Sequence, residues 1–162
     1  MQSRIKIIVI IIVTIFASLL SGCAKKEANV MFGDVVYDIL NIQKNKIVHE
    51  DEIYKNIIRS FTDASNVLPD MGISKNTLSV YDEKYFKSND LLIIAFSTNS
   101  EYKYTIENMI LLGNSLTVKI NENIPRSNTD LFIYRVALVN IPKGNLPDDT
   151  QIDAEINKVI EK

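Results

Sequence analysis

The chain has 162 residues, 20 acidic and 18 basic side chains, a formal charge of −2 and one cysteine. A mildly acidic chain repels phosphate backbones, which argues against nucleic acid as a partner, and a lone cysteine excludes an internal disulfide. The length suits one domain with a single core that must hold together unaided.

In chain order, the first segment is the most specific. Arg4 and Lys6 give a positive start, and Ile7 to Leu20 is an apolar run interrupted by Thr14 and Ser18. Leu20-Ser21-Gly22-Cys23 closes it. About 14 apolar residues fall short of the ~20 that span a bilayer as a helix. With a positive flank and small closing residues, they read as a removable N-terminal signal helix. The closing four match a lipobox. Leu20 stands three before the cysteine, Ser21 and Gly22 are small enough for signal peptidase to take an extended backbone, and Cys23 supplies the thiol that is acylated. Each buried CH₂ contributes about 0.8 kcal/mol, so two or three acyl chains anchor a protein almost permanently. The expectation is a lipoprotein cut before Cys23 and held on the extracytoplasmic face of the cell membrane. Residues 1–22 form the signal, 23–30 the lipidated cysteine and tether (Ala24 to Asn29 being small and polar), and 31–162 one domain. Losing Arg4 and Lys6 takes the charge from −2 to −4.

Val30 to Ile42 alternates in part (Val35, Tyr37, Ile39) and suggests a first strand, with a turn at Gln43 to Lys46. His49-Glu50-Asp51-Glu52 precedes Ile53, Ile57, Ile58 and Phe61, a spacing that predicts an amphipathic helix with acids in its first turn. Asn66 to Ser74, with Pro69 and Gly72, reads as a loop. Tyr81 to Phe86 reads as one helical turn capped by Asp82, with Tyr85 and Phe86 turned inward. Leu91 to Phe96 is continuously apolar, as expected of a central strand buried on both faces. After a turn at Thr98 to Ser100, Tyr102, Tyr104 and Ile106 alternate with polar residues, and Leu116, Val118 and Ile120 do the same. Gly113-Asn114 between the two runs predicts a hairpin. Leu131 to Ile141 reads as a long strand ended by Pro142. Ile152, Ile156, Val159 and Ile160 form the stripe of a C-terminal helix, with Asp148 and Asp149 before it. The order predicts an α+β fold: a mostly antiparallel sheet, curved or barrel-like, with helices on one face or end.

Side chains able to carry chemistry are sparse. His49 is the only histidine, there is no Gly-x-Ser-x-Gly elbow, and a polar helix start explains the residue without catalysis. Zinc lacks ligands once Cys23 is acylated. Asp148, Asp149, Asp153 and Glu155 lack the spacing of a calcium loop and suit a helix N-terminus. No catalytic residues, metal or cofactor are expected. Tyr81, Tyr85, Tyr102 and Tyr104 are candidate contacts for a partner or ligand, since tyrosine is enriched in interfaces. Rings closing the core edges are the favoured explanation over a contact surface, and Tyr102 and Tyr104 share one strand face.

Tyr81-Asp82-Glu83-Lys84-Tyr85-Phe86, then Leu91 to Phe96, then Tyr104-Thr105-Ile106, a hairpin, and a last strand ending in Ile141-Pro142-Lys143 together resemble the C-terminal domain family of PrcB-type proteins. The resemblance covers roughly residues 47–143. Where that family carries Gly-Gly-Tyr before its second strand, this chain has Glu101-Tyr102-Lys103-Tyr104. The resemblance implies a lipoprotein that stabilises a surface protease complex and carries no catalytic residues. The resulting expectation is a non-catalytic, membrane-anchored binding module with a protein partner in the envelope. The alternative is a small-ligand or sensor lipoprotein using a concavity near Tyr102 and Tyr104. A hydrolase with paired carboxylates is a third reading.

Overall fold

The computed structural model describes residues 27–41, 43–49, 52–126 and 131–160. The expected signal segment, with Leu20, Ser21, Gly22 and Cys23, lies outside the described residues. Eight strands and three short helices follow one another: β1 (Glu27–Asn29), β2 (Val35–Ile39), β3 (Tyr54–Ile58), α1 (Phe61–Asp70), α2 (Lys75–Leu78), α3 (Tyr85–Ser88), β4 (Asn89–Asn99), β5 (Lys103–Leu112), β6 (Ser115–Ile124), β7 (Phe132–Pro142) and β8 (Gln151–Ile160).

The fold is α+β and mostly strand, and the strands form two sheets, ordered β1-β5-β6-β8 and β2-β7-β4-β3. This corrects the expected single curved or barrel-like sheet: neither sheet closes. Among these pairings only β6–β8 is parallel. The reason for two layers is visible in β4. Leu91, Ile93 and Ala95 face the helices, whereas Leu92, Ile94 and Phe96 face the other sheet. A strand covered on both faces reads as unbroken apolar sequence, as expected at the centre of a layered fold. The order of layers is therefore helices, β2-β7-β4-β3, then β1-β5-β6-β8. Each fully buried Leu or Ile contributes roughly 1.5–3 kcal/mol, so β4 is the strand whose loss the fold tolerates least.

Several local expectations hold. Gly113 turns the β5–β6 hairpin at φ 67°, in the left-handed region open to glycine. Asp82 Oδ1 accepts from the Tyr85 N–H at 2.8 Å and Phe86 is buried, but the helical turn itself, Tyr85–Ser88, starts later than expected, with Lys84 and not Asp82 at its N-cap. β7 runs to Pro142.

Four others are corrected. The segment from His49 to Phe61 is not a helix but contains β3. Tyr54 and Ile58 pack toward the helices, while Ile53 and Ile57 pack between the sheets. Apolar residues on both faces of a short strand imitate helical spacing. Second, Asn66 to Asp70 is not loop but the second half of α1, which Ser60 starts by accepting the Asp63 N–H. Pro69 falls in the last turn, and Gly72 (φ 76°) then passes so close to Asn41 that a Cβ would meet its carbonyl at 2.7 Å. Third, the C-terminal segment is β8, so Asp148 and Asp149 lie in the β7–β8 connection instead of at a helix start. Ile152 and Ile156 satisfy both a four-residue helical step and a two-residue strand step. Pairing with β6 selects the strand, because it adds both to the inter-sheet core. Fourth, Glu27 to Asn29, expected within the tether, pairs with Leu112 to Ile110 as β1.

Candidate functional site

The space between the sheets is apolar in its middle and polar at both ends. At the end where β4 finishes and β7 starts, a cavity of about 330 Å³ opens between β2 and β7 on one side and β5 and β6 on the other. Phe96, Ile106, Ile120 and Ala137 supply most of its wall, and Tyr37, Lys103, Tyr104 and Arg135 supply its polar groups. Tyr37 bridges the sheets, its hydroxyl oxygen accepting the Ile106 N–H at 3.0 Å. The Phe96 and Tyr104 rings meet edge to face at 4.7 Å.

Strand phase decides which side chains reach this space. On β6, Leu116, Val118 and Ile120 point inward, and the next inward position is Glu122, only 7% exposed. Its partner in register is Tyr104. The Tyr104 hydroxyl donates to Glu122 Oε1 and is also hydrogen-bonded to Thr98 Oγ1. Burial, and then the bond to Glu122, hold the Tyr104 phenol well above the usual tyrosine range. It therefore stays protonated at any physiological pH and is a donor, not a base. Glu122 Oε2 has no hydrogen bond among the described residues, and Lys158 Nζ stands 4.0 Å away. Arg135, in register with Phe96, donates from Nη2 to the Ser100 carbonyl at 2.8 Å. Its buried Nε has no partner among the described residues.

The opposite end of the same layer holds Asp90, fully buried, with Arg59 Nη1 at 2.9 Å and Lys143 Nζ at 3.9 Å. Arg59 also donates to the Pro147 carbonyl, tying the β7–β8 connection to β3. This group is a structural clamp.

The four tyrosines singled out from sequence do not form one site. Tyr104 lines the cavity, and Tyr102, just before β5, packs half-buried against the same inter-sheet core. Tyr81 and Tyr85 lie on the other face of the β2-β7-β4-β3 sheet, with rings perpendicular at 5.0 Å. Burial, then the charge of Asp38, pushes the Tyr81 phenol up to about 12, and burial raises Tyr85 too. Both belong to the core under the helices. Tyr37, Lys103, Glu122 and Arg135 were missed, although two carried a signal: Glu122 continues an inward apolar phase, and Arg135 interrupts an apolar strand. His49 is exposed on the segment before β3, and Asp149 Oδ2 accepts from Asn114 Nδ2 at 3.1 Å. Among the described residues no three His, Cys, Asp or Glu side chains converge on a point, and no helix is long and apolar enough to cross a membrane.

Comparisons with protein-family models, with curated proteins and with solved structures each return no match for this chain.

Proposed function

We propose that this chain is a lipid-anchored extracytoplasmic module that binds a small ligand with an apolar body and an anionic head in the inter-sheet cavity. The observation that carries the reading is the cavity itself: an apolar wall on which the charged lining residues, Lys103 and Arg135, are both cationic. Its volume is at the small end of the roughly 300–1,000 Å³ typical of ligand pockets. The apolar wall supplies affinity, and the few polar groups select the head. A buried donor without a partner costs about 1–3 kcal/mol, so an anionic oxygen meeting the Arg135 Nε–H would recover that loss. Nothing in this arrangement requires turnover, since the Tyr104 hydroxyl is committed to Glu122. Anchoring rests on the Leu20-Ser21-Gly22-Cys23 lipobox.

The test is a comparison of octanoate, octanol and octylamine by chemical-shift titration of the protein. Octanoate is expected to saturate shifts at Ile120 and Ala137, and Arg135→Met to weaken it about tenfold, the equivalent of one lost charge-assisted hydrogen bond. Equal binding of octanol, or no saturable shift with any of the three, overturns the reading. For the anchor, Cys23→Ser is expected to abolish palmitate labelling, and unchanged labelling refutes it.

One observation favours a second reading, a protein partner of the kind the PrcB-type resemblance implies. β2 is one of the two edge strands of its sheet, and Val36, Tyr37 and Ile39 on it are exposed. An open edge with apolar side chains suits strand addition. Val36→Lys with Ile39→Lys would then abolish co-purification of a partner from membranes and leave octanoate binding intact.

A further inference from the structure

We infer that the domain stands end-on at the membrane, with the Gly113-Asn114 hairpin facing lipid and the cavity facing away. This rests on acylation of Cys23, part of the reading above. It follows from where the chain enters the fold. Glu27 pairs with Leu112, Ala28 with Leu111 and Asn29 with Ile110, and the Val30 N–H donates to the Met109 carbonyl at 2.9 Å. The first strand residue after the cysteine is thus clamped at the hairpin end of β5. Three residues, Ala24, Lys25 and Lys26, separate Cys23 from Glu27. Four Cα steps reach about 14 Å at full extension.

From the hairpin, β5 runs its 10 residues to Lys103 at the far end. At about 3.3 Å per residue that is roughly 30 Å, beyond the reach of the tether unless the domain lies flat. Two features at the hairpin end favour the upright attitude. Leu112, 41% exposed, pairs with Glu27 where the tether emerges, and Met31, 76% exposed, lies beside Asn145 of the β7–β8 connection at the same end. Lys25 and Lys26 add two positive charges to the sequence between Cys23 and Glu27, which anionic headgroups attract. Asp148 and Asp149 lie at the same end, Asp149 holding the Asn114 amide. Their repulsion from headgroups keeps the contact shallow, limited to the turn and the two apolar side chains.

The consequence concerns the source of the ligand. A cavity at Lys103 and Arg135, roughly 30 Å above the surface, is filled from the aqueous envelope and not by lateral transfer from the bilayer. Leu131, Phe132 and Ile160 are exposed at that same end.

The chain has no tryptophan, so single reporters are clean. Leu112→Trp, Ser115→Trp and Phe132→Trp are introduced separately into the full lipidated protein. Each variant is reconstituted in phosphatidylethanolamine–phosphatidylglycerol vesicles doped with headgroup-nitroxide lipid. Several-fold stronger quenching at 112 and 115 than at 132 is expected. Equal quenching at both ends means a flat attitude and overturns the inference. So does absence of quenching at every position while the protein floats with the vesicles. Flotation and intact mass are read separately: protein that neither floats nor carries acyl mass overturns the anchor itself. Ser115 is exposed, so its variant retains the test if Leu112→Trp misfolds.

Discussion

The two ends of the inter-sheet layer each bury one carboxylate, and they treat it differently. At the hairpin end, Asp90 is met by two cations, Arg59 and Lys143, and Arg59 spends a second donor on a backbone carbonyl. At the far end, Glu122 is met by a neutral phenol, and the cation that pairs with it, Lys158, is 4.0 Å away and largely exposed. Each acid keeps one oxygen without a hydrogen bond among the described residues. The difference lies in the surroundings. Asp90 is packed between a strand end and a loop and holds them together, whereas Tyr104, the partner of Glu122, faces open space beside an uncommitted arginine donor. A buried charge closed by opposite charge serves the fold, and a buried donor left without a partner among the described residues, the Arg135 Nε–H beside the cavity, is what the anionic head of a ligand can meet.

The largest expected effect breaks the first member of that comparison. Asp90→Ala removes the buried carboxylate that Arg59 and Lys143 share, leaving them only backbone carbonyls and the exposed Asp148, and removing one side of a buried pair costs about 3–5 kcal/mol. Arg59 is 26% exposed, so the loss belongs at the lower end, about 3 kcal/mol by urea unfolding. A loss below about 1 kcal/mol would class the clamp with surface ion pairs.

Tyr104→Phe attacks the second member. It leaves Glu122 without its hydroxyl donor at a cost of about 1–3 kcal/mol, with the fold otherwise retained. Its pH signature is separate. The folded-state phenol lies above the unfolded value of 10.0, so above pH 10 the unfolded chain releases a proton that the folded chain keeps. Stability conferred by the protonated phenol is complete below that pH and falls as pH rises, by up to about 1.4 kcal/mol per pH unit. The variant should show a shallower alkaline decline than the parent in urea titrations from pH 9 to 11, and an identical slope would place the phenol in water.

The smallest effect separates contact from support. Lys158 is 72% exposed at the edge of ion-pair distance, so Lys158→Ala should change stability by less than about 0.5 kcal/mol. A larger loss would make Lys158 to Glu122 what Arg59 is to Asp90, and the two ends would no longer differ.

Features set by neighbouring residues along the chain are legible in the sequence. Gly113-Asn114 announces the hairpin, Asp82 the short turn before β4, and the unbroken run from Leu91 to Phe96 a strand with both faces covered. The proposed lipobox, Leu20 to Cys23, would be of the same kind, because a signal peptidase reads extended sequence without a fold. β3 and β8 are not legible in this way. Isoleucines four apart fit a helical face and a strand face alike, and the deciding free energy comes from β4 and β6, the strands they pair with. The cavity is the least legible feature. Tyr37, Lys103 and Arg135 are far apart in the chain and meet only because two sheets stack with β2 over β5. Sequence by itself therefore determined the acidic charge and the local turns, which depend on covalent chemistry and short-range stereochemistry, and it alone carries the proposed anchor. Tertiary structure alone decided the number of sheets and the site, because burial on a second face is a property of what packs against a strand.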